Sequence, residues 1–205
     1  KNFSKDPKQL LKITTEVIKG FEQMREVSPA ISIFGSARVL PDLPIYQTAK
    51  ETAFLLGKEG FNIITGGGPG IMTAANHGAK DAGVKSIGLC IELPFEETAN
   101  PYVNHALHFK YFFVRKLMFV KYAIGFIFFS GGFGTLDELF EILTLVQTKK
   151  VHPVPIVLFG DFWHGLLDWL KNTLLEEKTI AKTDLDIFKI TSCPHQAVQF
   201  MKDFF

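Results

Sequence analysis

An α/β fold of Rossmann-like type, a mostly parallel sheet of about seven strands flanked by helices, is what the sequence predicts, on three observations. Short apolar, β-rich runs alternate with helix-patterned stretches from residue 30 onward. Three glycine- or serine-rich segments fall directly after such runs. No fixed-period repeat, low-complexity tract or Pro/Ser-rich linker interrupts the series. Alternation of this kind implies right-handed βαβ crossovers, hence parallel strands covered by helices on both faces.

The elements follow in order. Leu10, Ile13, Val17, Ile18, Phe21 and Met24 recur at amphipathic spacing, and Pro7 suits a first helical turn, so residues 6–27 are expected to be helical. This defines an N-terminal helical extension over 1–28, ahead of a single domain over 29–205. Strands are expected at 30–34, 61–65, 85–91, 105–109, 124–129, 155–159 and 187–190. Helices are expected at 45–58, 71–82, 112–122, 136–147, 163–175 and 195–204. Residues 92–102, with Pro94, Glu96, Glu97 and Pro101, read as a long ordered loop.

The bulk numbers narrow the function. With 205 residues, 47% hydrophobic and 21% charged, the chain can bury one substantial core. A formal charge of +1 offers no broad basic field for nucleic acid, so any phosphate must be met by local geometry, which favours a small ligand. Cys90 and Cys193 stand alone and indicate neither a zinc site nor a disulfide framework; a reducing cytoplasm is the expected compartment. The apolar run 123–129 is far below the ~20 residues of a membrane helix, and the chain opens with Lys1-Asn2-Phe3-Ser4-Lys5 rather than a signal sequence, so a soluble protein is expected. His105 and His108, three apart in an expected strand, point to opposite faces, and no metal or cofactor is expected.

In open parallel sheets ligands bind beyond the carboxyl ends of the strands, so the segments after each strand carry the functional reading. Phe34-Gly35-Ser36-Ala37-Arg38 combines a tight turn with a hydroxyl, backbone amides and a cation. Thr65-Gly66-Gly67-Gly68-Pro69-Gly70 lets backbone approach a ligand at a helix N-terminus, yet it matches neither GxGxxG nor a Walker loop. Ser130-Gly131-Gly132-Phe133-Gly134-Thr135-Leu136-Asp137-Glu138 repeats that arrangement. Here Thr135-x-x-Glu138 also fits a capping box, so Glu138 is either a helix cap or a catalytic carboxylate. Leu136, Leu139, Phe140 and Leu143 are expected to form the buried stripe, with Glu138 on another face. In Tyr111-Phe112-Phe113-Val114-Arg115-Lys116, Arg115 either snorkels over aromatic rings or crosses to the glycine-rich side to meet a ligand.

The run Gly131, Gly132, Gly134, Thr135 and Glu138, with Arg115-Lys116 upstream, resembles the signature of the Lonely Guy family, cytokinin riboside 5′-monophosphate phosphoribohydrolases, long labelled "lysine decarboxylase-like". The resemblance extends through Gly66–Gly70, Gly35-Ser36, Glu92-Leu93-Pro94-Phe95 and Asn100-Pro101-Tyr102, roughly from residue 30 to 191. It implies hydrolysis of the N-glycosidic bond of a nucleoside 5′-monophosphate to free base and ribose 5-phosphate, with Glu138 and Arg115 catalytic. Substrate contacts are expected from Gly35, Ser36, Gly66, Gly67, Gly68, Gly70, Lys116, Gly131, Gly132, Gly134 and Thr135. A homodimer or higher homo-oligomer is implied, with the N-terminal helix and the Phe-rich helix at 112–122 as candidate interfaces. Two departures stand out: Ser130 replaces the usual Pro, which removes a rigid φ, and Thr73 stands where relatives often carry Glu.

Three other readings compete. A non-catalytic nucleotide-binding or carrier protein of the same fold would keep the pocket without turnover. An NAD-dependent oxidoreductase lacks the GxGxxG spacing and a ribose-binding acid downstream. Lysine decarboxylation lacks a context for a pyridoxal-binding lysine and leaves the glycine loops without a role.

Overall fold

The computed structural model describes residues 6–92 and 99–205. Seven strands form one sheet in the order β4-β3-β2-β1-β5-β6-β7, with every neighbouring pair parallel. They are β1 Ala30–Phe34, β2 Asn62–Thr65, β3 Ser86–Ile91, β4 His105–Phe109, β5 Gly125–Phe128, β6 Ile156–Phe159 and β7 Lys189–Thr191. The α-helices are α1 Asp6–Gln23, α2 Pro44–Lys58, α3 Ile71–Ala82, α4 Phe112–Tyr122, α5 Phe133–Gln147, α6 His164–Trp169 and α7 Pro194–Phe204. The expected Rossmann-like α/β class is the observed one.

Side chains alternate between two cores because successive strand residues face opposite sides. Phe34, Phe126, Phe128, Ile156 and Leu158 join Val114, Met118, Phe119, Leu139 and Trp163 under the α4–α5 layer. Ile31, Ile33, Ile127, Phe129, Val157 and Phe159 face Ala49, Ala53, Ala74, Ala75 and Met201 under α2, α3 and α7. The indole of the fully buried Trp163 donates to Phe128 O at 2.9 Å, which satisfies its one polar atom and anchors the α6 segment to β5.

The N-terminal helix is tied into this body. Glu16 accepts from Lys110 N (2.9 Å) and Tyr111 N (3.2 Å), Tyr122 donates to Phe21 O, and Met24 and Val27 lie in the core. Leu10, Leu11 and Ile18 remain exposed on its other face.

Four elements differ from expectation by more than one residue at an end. The helix α5 begins at Phe133, three residues before the expected start. The expected helix over 163–175 is composite: a three-ten turn Asp161–Trp163, then α6, then a π-helical stretch Leu170–Leu175. Strand β7 is displaced toward Thr191, because a three-ten turn over Lys182–Asp186 takes up the preceding residues, with Ala181 N donating to Asp184 Oδ2 at 2.8 Å. The helix α1 stops at Gln23, short of the expected 27. Of the stretch expected to be an ordered loop, residues 93–98 lie outside the described residues.

Candidate active site

Strand order reverses at β1, whose neighbours β2 and β5 lead away in opposite directions, so the switch point lies beyond Phe34 and Phe128. A cavity of about 670 Å³ opens there. The loop after β1 is its centre: Ser36 N donates to Ser130 O (2.9 Å), and Ser36 O accepts from Ile71 N (3.1 Å). One residue thus ties together the loops following β1, β2 and β5. The Ser36 hydroxyl accepts from Arg38 N at 3.1 Å, closing the turn.

Gly35, Ser36, Arg38, Gly66, Arg115, Gly132, Gly134, Thr135 and Glu138 line this cavity, together with Phe34, Met72, Phe112, Phe133 and Asp137. Gly67, Gly68, Gly70, Gly131 and Lys116 are not part of this lining; Lys116 borders an adjoining hollow with Phe133, Leu136 and Asp137. Gly70, with φ of +67°, packs so closely on Ser36 O and the Ala37 backbone that only glycine fits. Thr73 donates to Gly68 O at 3.0 Å, bracing the loop from α3. Lys116 pairs with Asp137 Oδ2 (2.9 Å) and Glu141 Oε2 (3.2 Å). Those bonds outweigh the effect of its burial and raise its pKa.

The capping reading of Glu138 does not hold. The N-cap of α5 is Gly132, with no side-chain cap bond, which leaves Thr135 inside the first turn and Glu138 in the second. The buried stripe differs correspondingly: it comprises Thr135, Glu138, Leu139 and Ile142, while Phe140 is exposed. Gly134 is a poor helix former on propensity alone, so the sequence pattern set the start after it, too late. Within α5, Glu138 shares the buried face with Thr135, one turn before it, and with Leu139 and Ile142.

Glu138 is 7% exposed, and its Oε2 is buried without a hydrogen-bond partner among the described residues. Burial is the main cause that lifts its pKa from 4.5 to about 7, opposed by Lys116 and Arg115 and assisted by Glu141 and Asp137. Arg115, half-buried on α4, stands over the Phe119 ring at 5.4 Å, so both sequence readings of this residue meet: it stacks on an aromatic and it lines the cavity. The site therefore offers backbone loops at a helix start, a guanidinium, and a carboxyl group poised to be ionised or protonated near neutral pH. Among the described residues, no cluster of His, Cys, Asp or Glu is placed to hold a metal ion, and no helix is long and apolar enough to cross a membrane.

Two polar residues behind the site were not singled out from the sequence, Asn76 and, as a side chain, Asn100. Asn76 had a legible signal: it is an amide on the otherwise Ile-, Ala- and Gly-lined buried face of α3.

Fold and site together define a doubly wound parallel α/β protein with a carboxylate–guanidinium cavity at its switch point. A family described as "Possible lysine decarboxylase" matches residues 72–201, and the chain belongs to that family, the one its signature residues resemble. The cytokinin riboside 5′-monophosphate phosphoribohydrolase LOG of Oryza sativa subsp. japonica is 34% identical over 118 residues, 54% of this chain and 48% of that protein. A pyrimidine/purine nucleotide 5′-monophosphate nucleosidase of Escherichia coli K12 is 32% identical over 148 residues, 64% of this chain and 32% of that protein. The chain thus spans about half the length of the first relative and about a third of the second. Among solved structures, the molybdenum cofactor binding protein of Rippkaea orientalis superposes with a TM-score of 0.60 at 24% identity, covering 85% of this chain and 94% of that one. This last likeness is one of fold.

Proposed function

We propose that the chain hydrolyses the N-glycosidic bond of a nucleoside 5′-monophosphate, releasing free base and ribose 5-phosphate. The observation that carries this reading is a buried carboxyl group with a pKa of about 7 sharing one cavity with Arg115 and with glycine-rich loops at a helix N-terminus. The relatives with printed activities act on nucleoside 5′-monophosphates, which supports the substrate class.

Cleavage of the C1′–N bond builds positive charge on the ribose while the bonding electrons move to the base. The ionised Glu138 stabilises that charge at short range in a low-dielectric site, and it directs either a water or its own oxygen to C1′. Overall, water supplies hydroxide to C1′ and a proton to the departing base. Arg115 keeps its proton and orients the nucleotide by charge and hydrogen bonding. The 5′-phosphate is assigned to the first turn of α5 at Gly132–Thr135, whose leading N–H groups and dipole favour an anion, with Gly35 and the Ser36 hydroxyl lining the same cavity. The glycines outside the lining, Gly67, Gly68, Gly70 and Gly131, shape the loops after β2 and β5. Lys116 acts through charge. No cofactor takes part, and neither nucleic acid nor a membrane is a partner in this scheme.

A homo-oligomer is part of the proposal. Phe133 is 92% exposed at the cavity, which exposed Phe112 also lines, and exposed Phe140 borders the adjoining hollow with it, an apolar rim that a second copy would cover.

Incubation with AMP and with isopentenyladenosine monophosphate, followed by chromatography for base and ribose 5-phosphate, tests the reaction and ranks adenine against its prenylated form. AMP-dependent thermal stabilisation without any base release would instead establish the carrier reading.

A further inference from the structure

The loop after β2 meets the cavity through Gly66, while the polar groups of Gly67 and Gly68 bond to Thr65, Thr73 and Asn100, none of which lines it. Asn100 donates from its backbone N to Gly67 O (2.8 Å), and from Nδ2 to Gly67 O (3.2 Å), Gly68 O (3.1 Å) and Asn76 Oδ1 (2.9 Å). Its Oδ1 accepts from Tyr102 N at 3.2 Å. Asn76, fully buried, accepts from Thr65 Oγ1 (2.6 Å) as well, and its Nδ2 donates to Ser86 Oγ (2.9 Å) and Ile87 O (3.3 Å). Thr65 Oγ1 in turn accepts from Gly67 N at 2.9 Å. Both polar groups of the Gly67 backbone are therefore held, one through Thr65 and one by Asn100, and Asn76 fixes both holders.

Networks of this kind, buried and fully satisfied, impose one geometry, because every alternative leaves a buried donor or acceptor unpaired. What the geometry is for shows on the outer side of the loop. The space a Cβ at Gly66 would take is occupied by Arg115 Nη2 and, at 2.8 Å, by Met72 Sδ. Gly66 is thus one wall of the slot holding the guanidinium, and the Phe119 ring lies on the same long, rotatable side chain's path. A wall that drifts gives the guanidinium freedom that a catalytic group loses only at entropic cost.

We propose that Asn100, held by Asn76, is a positioning residue: it clamps the Gly66–Gly68 backbone against Arg115 and so sets where the guanidinium stands relative to Glu138. It does so without touching the cavity. The kinetic part of this inference rests on the hydrolase reading above.

The test compares Asn100→Ala with a control at the far end of β2, the strand whose following loop Asn100 holds. Asn62 is also a loop-bridging amide, donating to Val27 O (2.7 Å) and accepting from Lys85 N (2.9 Å), far from the cavity. Both substitutions remove side-chain tethers and are expected to lower Tm comparably, by about 2–6 °C. Only Asn100→Ala is expected to lower kcat, by about tenfold to hundredfold, as misplacement of a catalytic group does. The carboxyl pKa of Glu138, followed by carbon NMR in the full chain, is expected to rise in Asn100→Ala and stay in Asn62→Ala, since Arg115 is one of the charges that lower it. Gly66→Ala, which pushes the guanidinium directly and leaves the clamp intact, is expected to raise that pKa as well. An unchanged Glu138 pKa in Asn100→Ala, or an equal loss of kcat in both asparagine variants, overturns the proposal. If Asn100→Ala does not fold, an unchanged pKa in Gly66→Ala overturns it. Absence of base release from the wild-type chain would overturn the hydrolase reading instead, and the NMR comparison still decides the clamp.

Discussion

Thr135 and Glu138 sit one turn apart on the buried face of α5, both facing the cavity, with neither capping the helix. Glu138 is thus held in place by the fold at a cost rather than for stability. Its pKa is about 7 in the folded chain against 4.5 as an ordinary carboxyl, so the folded state holds the proton more tightly than the unfolded one. Stability from this group is complete below pH 4.5, falls as pH rises toward 7, and levels off above it, a loss of about 3 kcal/mol. Glu138→Gln should therefore be more stable than wild type at pH 8, by about 1–3 kcal/mol, and equal to it near pH 4.5. Urea unfolding at the two pH values checks this. Base release by the same variant is expected to fall by about 10²–10⁴.

Burial raises the Glu138 pKa, and the charges around the carboxyl trim it. In the proposed reaction the ionised Glu138 is the active form, so kcat/KM should decrease as pH falls through about 7. Lys116 is the foremost charge lowering that pKa, and it also neutralises Asp137 and Glu141, which raise it. Removing it with Lys116→Met acts in one direction through both routes. The acid limb of the pH–rate profile should move upward, and a limb that stays in place would remove Glu138 from the kinetics.

Two glycines of the signature loops should respond with opposite sign in a stability assay. At Gly70 the backbone has positive φ and a methyl group would overlap Ser36 O, so Gly70→Ala should destabilise by more than about 2 kcal/mol and loosen the junction of the loops. At Gly134, inside α5, a methyl group meets nothing, so Gly134→Ala should stabilise by about 0.5–1 kcal/mol. A stabilising substitution that the chain forgoes at a cavity-lining position points to ligand access. The KM for a nucleoside monophosphate is expected to rise in Gly134→Ala.

Much of this was legible from residue order alone, for reasons that are local. Strand periodicity and the turn residues around them placed β1 and β4 and the helices α3 and α4 to the residue. Carboxyl-end geometry then pointed to the loops after β1, β2 and β5. What local pattern could not supply was the phase of α5, because the helix start at a Gly-Gly pair is decided by packing of Leu139 and Ile142 into the core rather than by propensity. A three-residue error in that start turns a buried carboxyl into an exposed cap. Phe112, Phe133 and Met72 were equally invisible as cavity walls, since an aromatic or a methionine at such positions reads as core. The Leu93-Pro94-Phe95 part of the family resemblance lies outside the described residues.

The central place of β1 also bears on how the molecule comes into being. Ile31 pairs with Ile63 on one side and with Gly125 on the other, partners about 30 and about 90 residues further along the chain. The first pairing can form while synthesis is still under way; the second must wait until β5 has been made. Arg115 and Glu138 flank β5, one on either side of it in the chain. Ser36 can bond Ser130 only when that strand has docked. The pocket is thus expected to assemble late, as the two halves of the sheet close on each other. A chain interrupted before β5 would expose the apolar faces of β1 to β3 for the whole delay, which makes that interval the point of greatest exposure to chaperones and to aggregation.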